Sequence, residues 1–174
     1  MQIPFESSTR ASLGVEWELQ LIDRETRELT AGAVEILEEI RPEGADEHPK
    51  AKHELLQSPI EIITGICGTV AEAKADLAGT LAEVAAVAER HGLALMCAGT
   101  HPITDWQTQK ISPKERYLEL VEKMQWLARR LQIFGVHVHV GVRSPDKAIP
   151  VVNALCEFLP HFLALSSSSP FWVG

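Results

Sequence analysis

The sequence predicts an α+β protein, because segments with the periodicity of strands and of helices both occur along the chain. Three segments carry this prediction: an alternating strand at 13–23, a long helix at about 70–91 and an alternating strand within 134–142. With 174 residues, of which 45% are hydrophobic and 23% charged, the chain has the size and composition of one globular domain with a core. We therefore expect residues 1–174 to form a single domain.

The first strand is the stretch LGVEWELQLID at 13–23, which alternates between apolar and polar side chains. One predicted face carries Leu13, Val15, Trp17, Leu19 and Leu21. The opposite face carries Glu16 and Glu18, whose Cα atoms are roughly 6.5–7 Å apart in an extended chain. Residues 23–29 then predict a polar hairpin turn that leads into a short return strand.

A short helix at 33–41, ended by Pro42, is followed by a polar segment up to Lys52 that we interpret as a loop. The next strand candidate spans 54–64 and contains Pro59. Because proline cannot donate to a sheet ladder, we expect a sheet edge or a bulge at this position. An exposed edge favours association with another chain, such as a homo-oligomer, without specifying its stoichiometry.

The long helix at about 70–91 has a start and a stop signal. Thr69 with Glu72 forms a capping box, and Gly92 suits the exit. A short buried strand is predicted directly after it, at 93–99.

Two further helices are predicted in the second half. One spans about 113–132, with Ser112 in the capping position. The other begins at Ser144–Pro145 and is interrupted by Pro160.

Between these helices, FGVHVHVGV at 134–142 places His137, His139 and Gly141 on one face of a strand. The opposite face is Val136, Val138, Val140 and Val142. We interpret the valine face as part of a core. The histidine face is interpreted as the floor of a site, with room left beside it at the glycine.

The net charge of the chain argues against two classes of binding partner. A net charge of −8 argues against nucleic acid or an anionic membrane as the main partner. No apolar run of 18 residues and no signal-peptide core is present. The three cysteines are far apart and form no Cys-x-x-Cys, which predicts a reduced, cytoplasmic setting.

The two polar strand faces could meet on one sheet. Carboxylates within ~4 Å of each other repel by roughly 4 kcal/mol at an effective dielectric constant near 20. Protonation or a cation relieves that repulsion, and oxygen-rich ligands with an imidazole suit Mg²⁺ or Mn²⁺ better than Zn²⁺. The alternative for either strand is a solvated polar face.

Glu54 and Glu61 extend this hypothesis. They are seven residues apart, so an uninterrupted strand would place them on opposite faces. A bulge at Ser58–Pro59 would shift the parity and bring them to one side. Glu61 lies among isoleucines and needs a partner there, whereas Glu54 taken alone reads as a surface residue.

Other polar residues give weaker signals. Arg116 and Arg143 could hold a phosphate or a carboxylate, although surface arginines are commoner. His101 follows a strand end and fits a binding loop or a plain turn equally well. The sequence contains no Gly-x-x-x-x-Gly-Lys, Gly-x-Ser-x-Gly or His-Glu-x-x-His motif.

Five ordered blocks of the sequence resemble the bacterial carboxylate–amine ligases of the glutamate–cysteine ligase type 2 family. The blocks are GVEWELQLID, ELLQSPIEIIT, GTHPITDW, GVHVHVGV and LSSSSPFWVG. The resemblance implies a glutamine synthetase-like fold, in which an antiparallel sheet forms the floor of a funnel and helices pack on one face. It covers about the first half of a family member, so we expect an N-terminal part of a catalytic domain and an incomplete site.

The resemblance also implies an activity and a site. The activity is ATP-dependent amide formation between a glutamate-like carboxylate and an amine such as cysteine, through an acyl phosphate. The implied metal ligands for Mg²⁺ or Mn²⁺ are Glu16, Glu18, Glu54, Glu61 and His137. Of these, all but Glu54 are also expected to be catalytic. His139 is expected near the nucleotide phosphates, and Arg116 is a second cofactor-binding candidate.

The sequence leaves two other functions open. A metal-dependent hydrolase also uses His-x-His on a strand, but its barrel alternates strands and helices regularly over a longer chain. A non-catalytic piece that only binds metal or nucleotide is the other alternative. The sequence does not specify which acid and amine are joined.

Overall fold

The structure is a computed structural model that describes residues 4–173, and its centre is an antiparallel sheet of five strands. The strands are β1 (Ser12–Asp23), β2 (Ala51–His53), β3 (Pro59–Ile63), β4 (Leu93–Met96) and β5 (Val136–Gly141). The order is β2-β3-β1-β4, and β5 also pairs with β1. β3 lies on one side of the long β1, whereas β4 and β5 follow one another along its other side. The predicted α+β class is confirmed.

Helices cover one face of this sheet. They include α1 (Ala33–Glu39) and α2 (Val70–Arg90), which pack against the sheet and against each other. The largest side chains of this core are all fully buried: Leu19, Leu21, Ile36, Ile60, Ile62 and Val84. Burial of such side chains contributes about 1.5–3 kcal/mol each relative to exposure. The apolar alternation of β1 therefore decides which face of the sheet receives the helices.

The predicted Thr69 cap and Gly92 exit of α2 are present, although the Glu72 carboxylate accepts from the backbone N–H of Gly68 and not from that of Thr69. The Thr69 side chain accepts a hydrogen bond from the backbone N–H of Glu72 at 3.1 Å. After the helix, Gly92 has a φ of +72°, a left-handed conformation that favours glycine. β4 follows at once but ends at Met96, three residues before the predicted strand does.

The strand expected at 54–64 is found only over Pro59–Ile63, which is β3. The turn at 54–58 separates β3 from the antiparallel β2, which begins in the segment interpreted as a loop. Pro59 is the first residue of β3, an interior strand, so it is neither at an edge nor at a bulge. The pairing of β3 with β1 runs without a register shift from Glu16 opposite Ile63 to Gln20 opposite Pro59. Proline is tolerated as the first residue of a strand.

The predicted helix at 113–132 is two helices, α3 (Glu115–Met124) and α4 (Trp126–Arg129), separated at Gln125, whose φ is +53°. Lys114, and not Ser112, is the residue that precedes α3. The Ser112 hydroxyl instead donates to backbone carbonyls of the β2–β3 turn. Tertiary hydrogen bonding has replaced the local cap.

The last helices are α5 (Pro145–Cys156) and α6 (Leu159–Ser166), and their break lies just before Pro160 as predicted. In the described residues neither helix buries a side chain. None of the described helices is by itself long and apolar enough to cross a membrane. α5 and α6 reach that length and composition only as a pair, which is bent by 63°.

The interpretation of the β5 valines as core is wrong for the described part of the chain. Val136, Val138 and Val140 alternate as predicted, but they are 60%, 63% and 64% exposed. Alternation identifies the face that is apolar, whereas burial also needs an element to cover that face, and none of the described elements does so.

The regular alternation of strands and helices expected of a hydrolase barrel is not found among the described elements, because β2 and β3 follow one another with no helix between them.

Candidate active site

The strand register brings the predicted acidic residues and His137 to one face of the sheet. Glu18 of β1 lies directly opposite Glu61 of β3. On the other side of β1, Glu16 lies opposite His137 of β5. Directly opposite residues have Cβ atoms about 4.5–5.5 Å apart, so their side chains meet. Since even-numbered residues of β1 point away from the helices, these four side chains share the uncovered face.

Glu54 reaches the same cluster by a chain reversal. It comes directly after β2, and its carboxylate accepts a hydrogen bond from the backbone N–H of Leu55 at 3.2 Å. The buried Ser112 hydroxyl donates to the Glu54 carbonyl, which ties the turn to the segment before α3. The bulge inferred from the spacing of Glu54 and Glu61 is therefore wrong, and the turn between β2 and β3 does what the bulge was expected to do.

Two overlapping sets of side chains have the spacing of metal ligands. In the first set, ligand atoms of Glu16, Glu61 and His137 all lie within 4.8 Å of one another. In the second, carboxylate oxygens of Glu18, Glu54 and Glu61 do so. Glu61 belongs to both sets, so it could bridge two neighbouring ions.

The electrostatics of the cluster favour a cation. Burial, followed by the charges of Glu54, Glu16 and Glu18, raises the pKa of Glu61 to about 7. Burial also raises the pKa of Glu54 and of Glu18, although the backbone N–H of Gly135 donates to Glu18 at 3.0 Å and lowers the latter.

Among the described residues, no lysine or arginine forms an ion pair with any of these four glutamates. The donor set thus fits a hard divalent ion. Four carboxylates and one imidazole offer mainly oxygen ligands, which suit Mg²⁺ or Mn²⁺. Repulsion among the carboxylates adds to burial in raising the pKa of Glu18, Glu54 and Glu61, and a bound cation would remove that repulsion.

His139 lies beside this cluster. It is opposite Gly14 in the β1–β5 register, and its Nε2 is 3.2 Å from Oε1 of Glu16. It belongs to neither set of candidate ligands. The room expected at Gly141 is not open, because a Cβ atom at that position would overlap the hydroxyls of Ser8 and Ser12.

Arg116 lies at the other end of the site, in the first turn of α3. Its guanidinium carbon is 4.4 Å from the centre of the Tyr117 ring. Arg116 and Glu61 line one cavity, whereas His139 and Glu16 line another. The two predicted cofactor-binding residues therefore line different cavities.

Sequence reasoning missed Lys52 and Lys114, which line the same cavity as Arg116. Lys52 lies opposite Glu61 in the β2–β3 ladder. The feature that could have identified Lys52 is the pairing of residues 51–53 with residues 60–62. A strand of three residues is too short to show a clear alternation in sequence.

His101 has a structural role in this structure. Its side chain is buried, with Nε2 3.0 Å from the Arg27 carbonyl and Nδ1 accepting from the backbone N–H of Thr104 at 3.1 Å. Of the predicted alternatives, the turn is therefore the one found. Arg143 is exposed and forms no ion pair with a described residue.

Comparison with known proteins gives a consistent family. The model of the family described as Glutamate-cysteine ligase family 2 matches residues 12–174. A protein of Frankia alni, named "Putative glutamate--cysteine ligase 2-1", is 62% identical over 175 residues, and a protein of the same name from Frankia casuarinae is 61% identical over 175 residues. The "Putative glutamate--cysteine ligase 2" of Thermobifida fusca is 58% identical over 176 residues.

These alignments cover 100% of this chain but only 46%, 46% and 44% of the three relatives. The chain thus spans less than half the length of the curated relatives it matches.

Proposed function

Because the chain belongs to glutamate–cysteine ligase family 2, we propose that it supplies the metal-binding floor of an ATP-dependent carboxylate–amine ligase. The proposed substrates are a glutamate-like carboxylic acid, an amine such as cysteine, and ATP. The observation that carries the proposal is the convergence of Glu16, Glu18, Glu54, Glu61 and His137 on one sheet face.

The proposed reaction has two steps. A carboxylate oxygen of the acid attacks the γ-phosphorus of ATP, the bond to the β–γ bridging oxygen breaks, and ADP leaves. The amine nitrogen then attacks the acyl carbon, inorganic phosphate leaves, and the nitrogen loses a proton. ATP is required because direct condensation of a carboxylate with an ammonium ion in water is unfavourable.

Divalent ions would supply charge neutralisation for the phosphate oxygens during transfer. On this chain, Glu16 and His137 would hold them from the β5 side, and Glu18 and Glu54 from the β3 side. Glu61 lies in both ligand sets and would join the two positions.

Other residues orient these ligands. The Gly135 N–H at 3.0 Å fixes one carboxylate oxygen of Glu18, and the Leu55 N–H at 3.2 Å fixes one of Glu54. His139 stands 3.2 Å from Glu16 on its outer side, where it could donate to a phosphate oxygen of a nucleotide held by the ions. Such outer hydrogen bonds commonly tune metal affinity by 10–100-fold.

The proposal is tested first on the chain itself. Isothermal titration with Mn²⁺ should show saturable binding that the Glu16→Gln substitution weakens by more than about 10–100-fold, the loss typical of outer partners alone. Glu25→Gln, on the exposed turn after β1, is the matched control and should bind as the wild type does. Equal affinity in all three proteins would contradict the proposed metal site.

Ligation needs a second measurement. The chain can be fused to the part of the Frankia alni relative that it does not match, and ADP release measured with glutamate and cysteine. We expect release that depends on both the acid and the amine and that Glu16→Gln abolishes. ADP release that needs neither substrate, or that survives the substitution, would overturn the proposal.

A further inference from the structure

A cavity of about 440 Å³ borders the candidate metal site on its β2 side. Its wall is rich in basic side chains, and its lining consists of Glu47, Lys52, His53, Glu61, Lys114 and Arg116. Glu61 is the only member of this lining that also belongs to the ligand sets found among the described residues. The cavity and the metal site therefore share one side chain.

The basic residues come from two separate segments of the chain. Lys52 belongs to β2, where it pairs with Glu61 across the ladder. Lys114 and Arg116 lie at the start of α3, more than sixty residues later. Tyr117 joins the two segments, because its buried hydroxyl donates to the His53 carbonyl at 2.9 Å.

The positive charges of this cavity are only partly neutralised. Both lysines share the Glu47 carboxylate: Nζ of Lys52 is 3.4 Å from Oε2, and Nζ of Lys114 contacts Oε1. Arg116 has no ion-pair partner in the described part of the chain. Three cations thus face one carboxylate in addition to Glu61.

These side chains are more sequestered than ordinary surface lysines. The Lys52 and Lys114 side chains are 31% and 36% exposed. Both lysines share one carboxylate, and positive charge that is only partly compensated in a half-buried wall favours an anion.

Arg116 is held ready to bind. Its guanidinium carbon lies 4.4 Å from the centre of the Tyr117 ring, within the range of a cation–π contact, and it donates to the Tyr117 hydroxyl. The remaining N–H groups of a fixed guanidinium form a fork that matches the two oxygens of a carboxylate or phosphate.

His53 adds a second sign of a ligand. Its Nδ1 is buried, with no hydrogen-bond partner among residues 4–173. Buried polar atoms are nearly always hydrogen-bonded, so an unpaired one in a cavity lining is a candidate contact for a bound group.

We propose that Lys52, Lys114 and Arg116 form an anion subsite, called here the basic cavity, which binds a carboxylate or phosphate group of a substrate beside the metal site. The inference rests on the proposed function, because that function supplies substrates with several anionic groups. A substrate anchored in the basic cavity extends past Glu61 toward the ions. The anchored group is either a carboxylate of the acid substrate or a phosphate of ATP.

A simpler role for these residues is to balance the charge of the glutamates. Arg116 does lower the pKa of Glu54, against the larger effect of burial. The two roles predict different results. Charge balance alone would change metal affinity and leave anion affinity unchanged, whereas a subsite loses anion affinity.

The test measures anion binding by isothermal titration with L-glutamate and, separately, with ATP, each with and without saturating Mn²⁺. The variants are Lys114→Met and Arg116→Lys, and Lys110→Met is the control, because Lys110 is exposed and lines a different cavity. Thermal melts monitored by circular dichroism establish that each variant is folded.

We expect Lys114→Met and Arg116→Lys each to lower the affinity for one of the two ligands by about tenfold or more, as for loss of a charged hydrogen bond. Weaker glutamate binding identifies a carboxylate subsite, and weaker ATP binding identifies a phosphate subsite. The control should bind as the wild type does.

Unchanged affinity for both ligands in folded variants would overturn the inference, as would a wild-type chain that binds neither ligand under either condition. Retained Mn²⁺ binding in that case would leave the proposed metal site standing, so failure of the subsite is distinguishable from failure of the proposed function.

Discussion

Glu16 and His137 face each other across the β1–β5 ladder, with Oε2 of the glutamate 3.2 Å from Nδ1 of the imidazole. The two residues are 121 positions apart in sequence. Their contact depends on the register of two strands, and the same register places Glu18 beside Gly135. A single antiparallel pairing thus positions one wall of the site.

Removal of the Glu61 charge should stabilise the metal-free chain at alkaline pH. The Glu61 pKa is about 7 in the folded state against an ordinary value of 4.5. Between these values the folded state holds a proton that the unfolded state has lost, so stability falls as pH rises through this window and is constant above it. Glu61→Gln cannot ionise and should escape this loss.

The measurement is the urea midpoint of wild type and Glu61→Gln in the presence of EDTA at pH 5 and pH 8. The variant should gain relative to the wild type at pH 8, and adding Mn²⁺ should stabilise the wild type more at pH 8 than at pH 5. A difference between the two proteins that is the same at both pH values would contradict the raised pKa.

The two histidines of β5 should contribute unequally to metal affinity. His137 shares a candidate ligand set with Glu16 and Glu61, whereas His139 only contacts Glu16 from outside. His137→Ala should therefore weaken Mn²⁺ binding by more than about 100-fold, and His139→Ala by about tenfold. Isothermal titration measures both, and the reverse order would refute the ligand assignment.

Ser112 should stabilise the turn that carries Glu54. The side chain is fully buried, and its hydroxyl donates to the Glu54 carbonyl and to the Leu56 carbonyl, the latter at 3.1 Å. Ser112→Ala leaves those carbonyls unpaired and should cost about 1–3 kcal/mol of unfolding free energy.

Ser144→Ala is the matched control for this substitution, because Ser144 precedes α5 without a side-chain capping bond. It should change the unfolding free energy by less than about 0.5 kcal/mol. Urea denaturation compares the two variants, and equal effects would mean that the Ser112 contacts do not hold the turn.

A polar substitution on the exposed valine face of β5 should leave the stability of this protein nearly unchanged. Val138 is 63% exposed, so Val138→Thr should change the unfolding free energy by less than about 0.5 kcal/mol. Ile62→Thr, at a fully buried position of β3, should cost about 2 kcal/mol or more because it loses apolar contacts and buries a hydroxyl. Similar losses in both variants would show that Val138 is covered in solution.

The parts of the site that were predictable are those set by local periodicity. Alternation along β1 and β5 places Glu16 with Glu18 and His137 with His139, because the side-chain period of a strand is two whatever the strand pairs with. The capping of α2 by Thr69 is local in the same way.

The errors arose where tertiary pairing decides. Glu54 and Glu61 would obey the side-chain parity of a strand only if they shared one strand, and the chain reverses between them. Burial of a strand face also depends on elements that are distant in sequence. For this reason the valines of β5 were wrongly interpreted as core. The basic cavity was not predicted, because Lys52 lies in a strand of only three residues. Only the folded chain brings Lys52 and Arg116 to the wall of one cavity.

The most direct test of the account is whether His137 binds the ion that the glutamates bind. Electron spin-echo envelope modulation of the Mn²⁺-loaded chain detects nitrogen coupled to the metal. We predict a coupling from one imidazole that disappears in His137→Ala and persists in His139→Ala. A Mn²⁺ spectrum without nitrogen coupling, or one that His137→Ala leaves unchanged, would contradict a shared ion at Glu16 and His137.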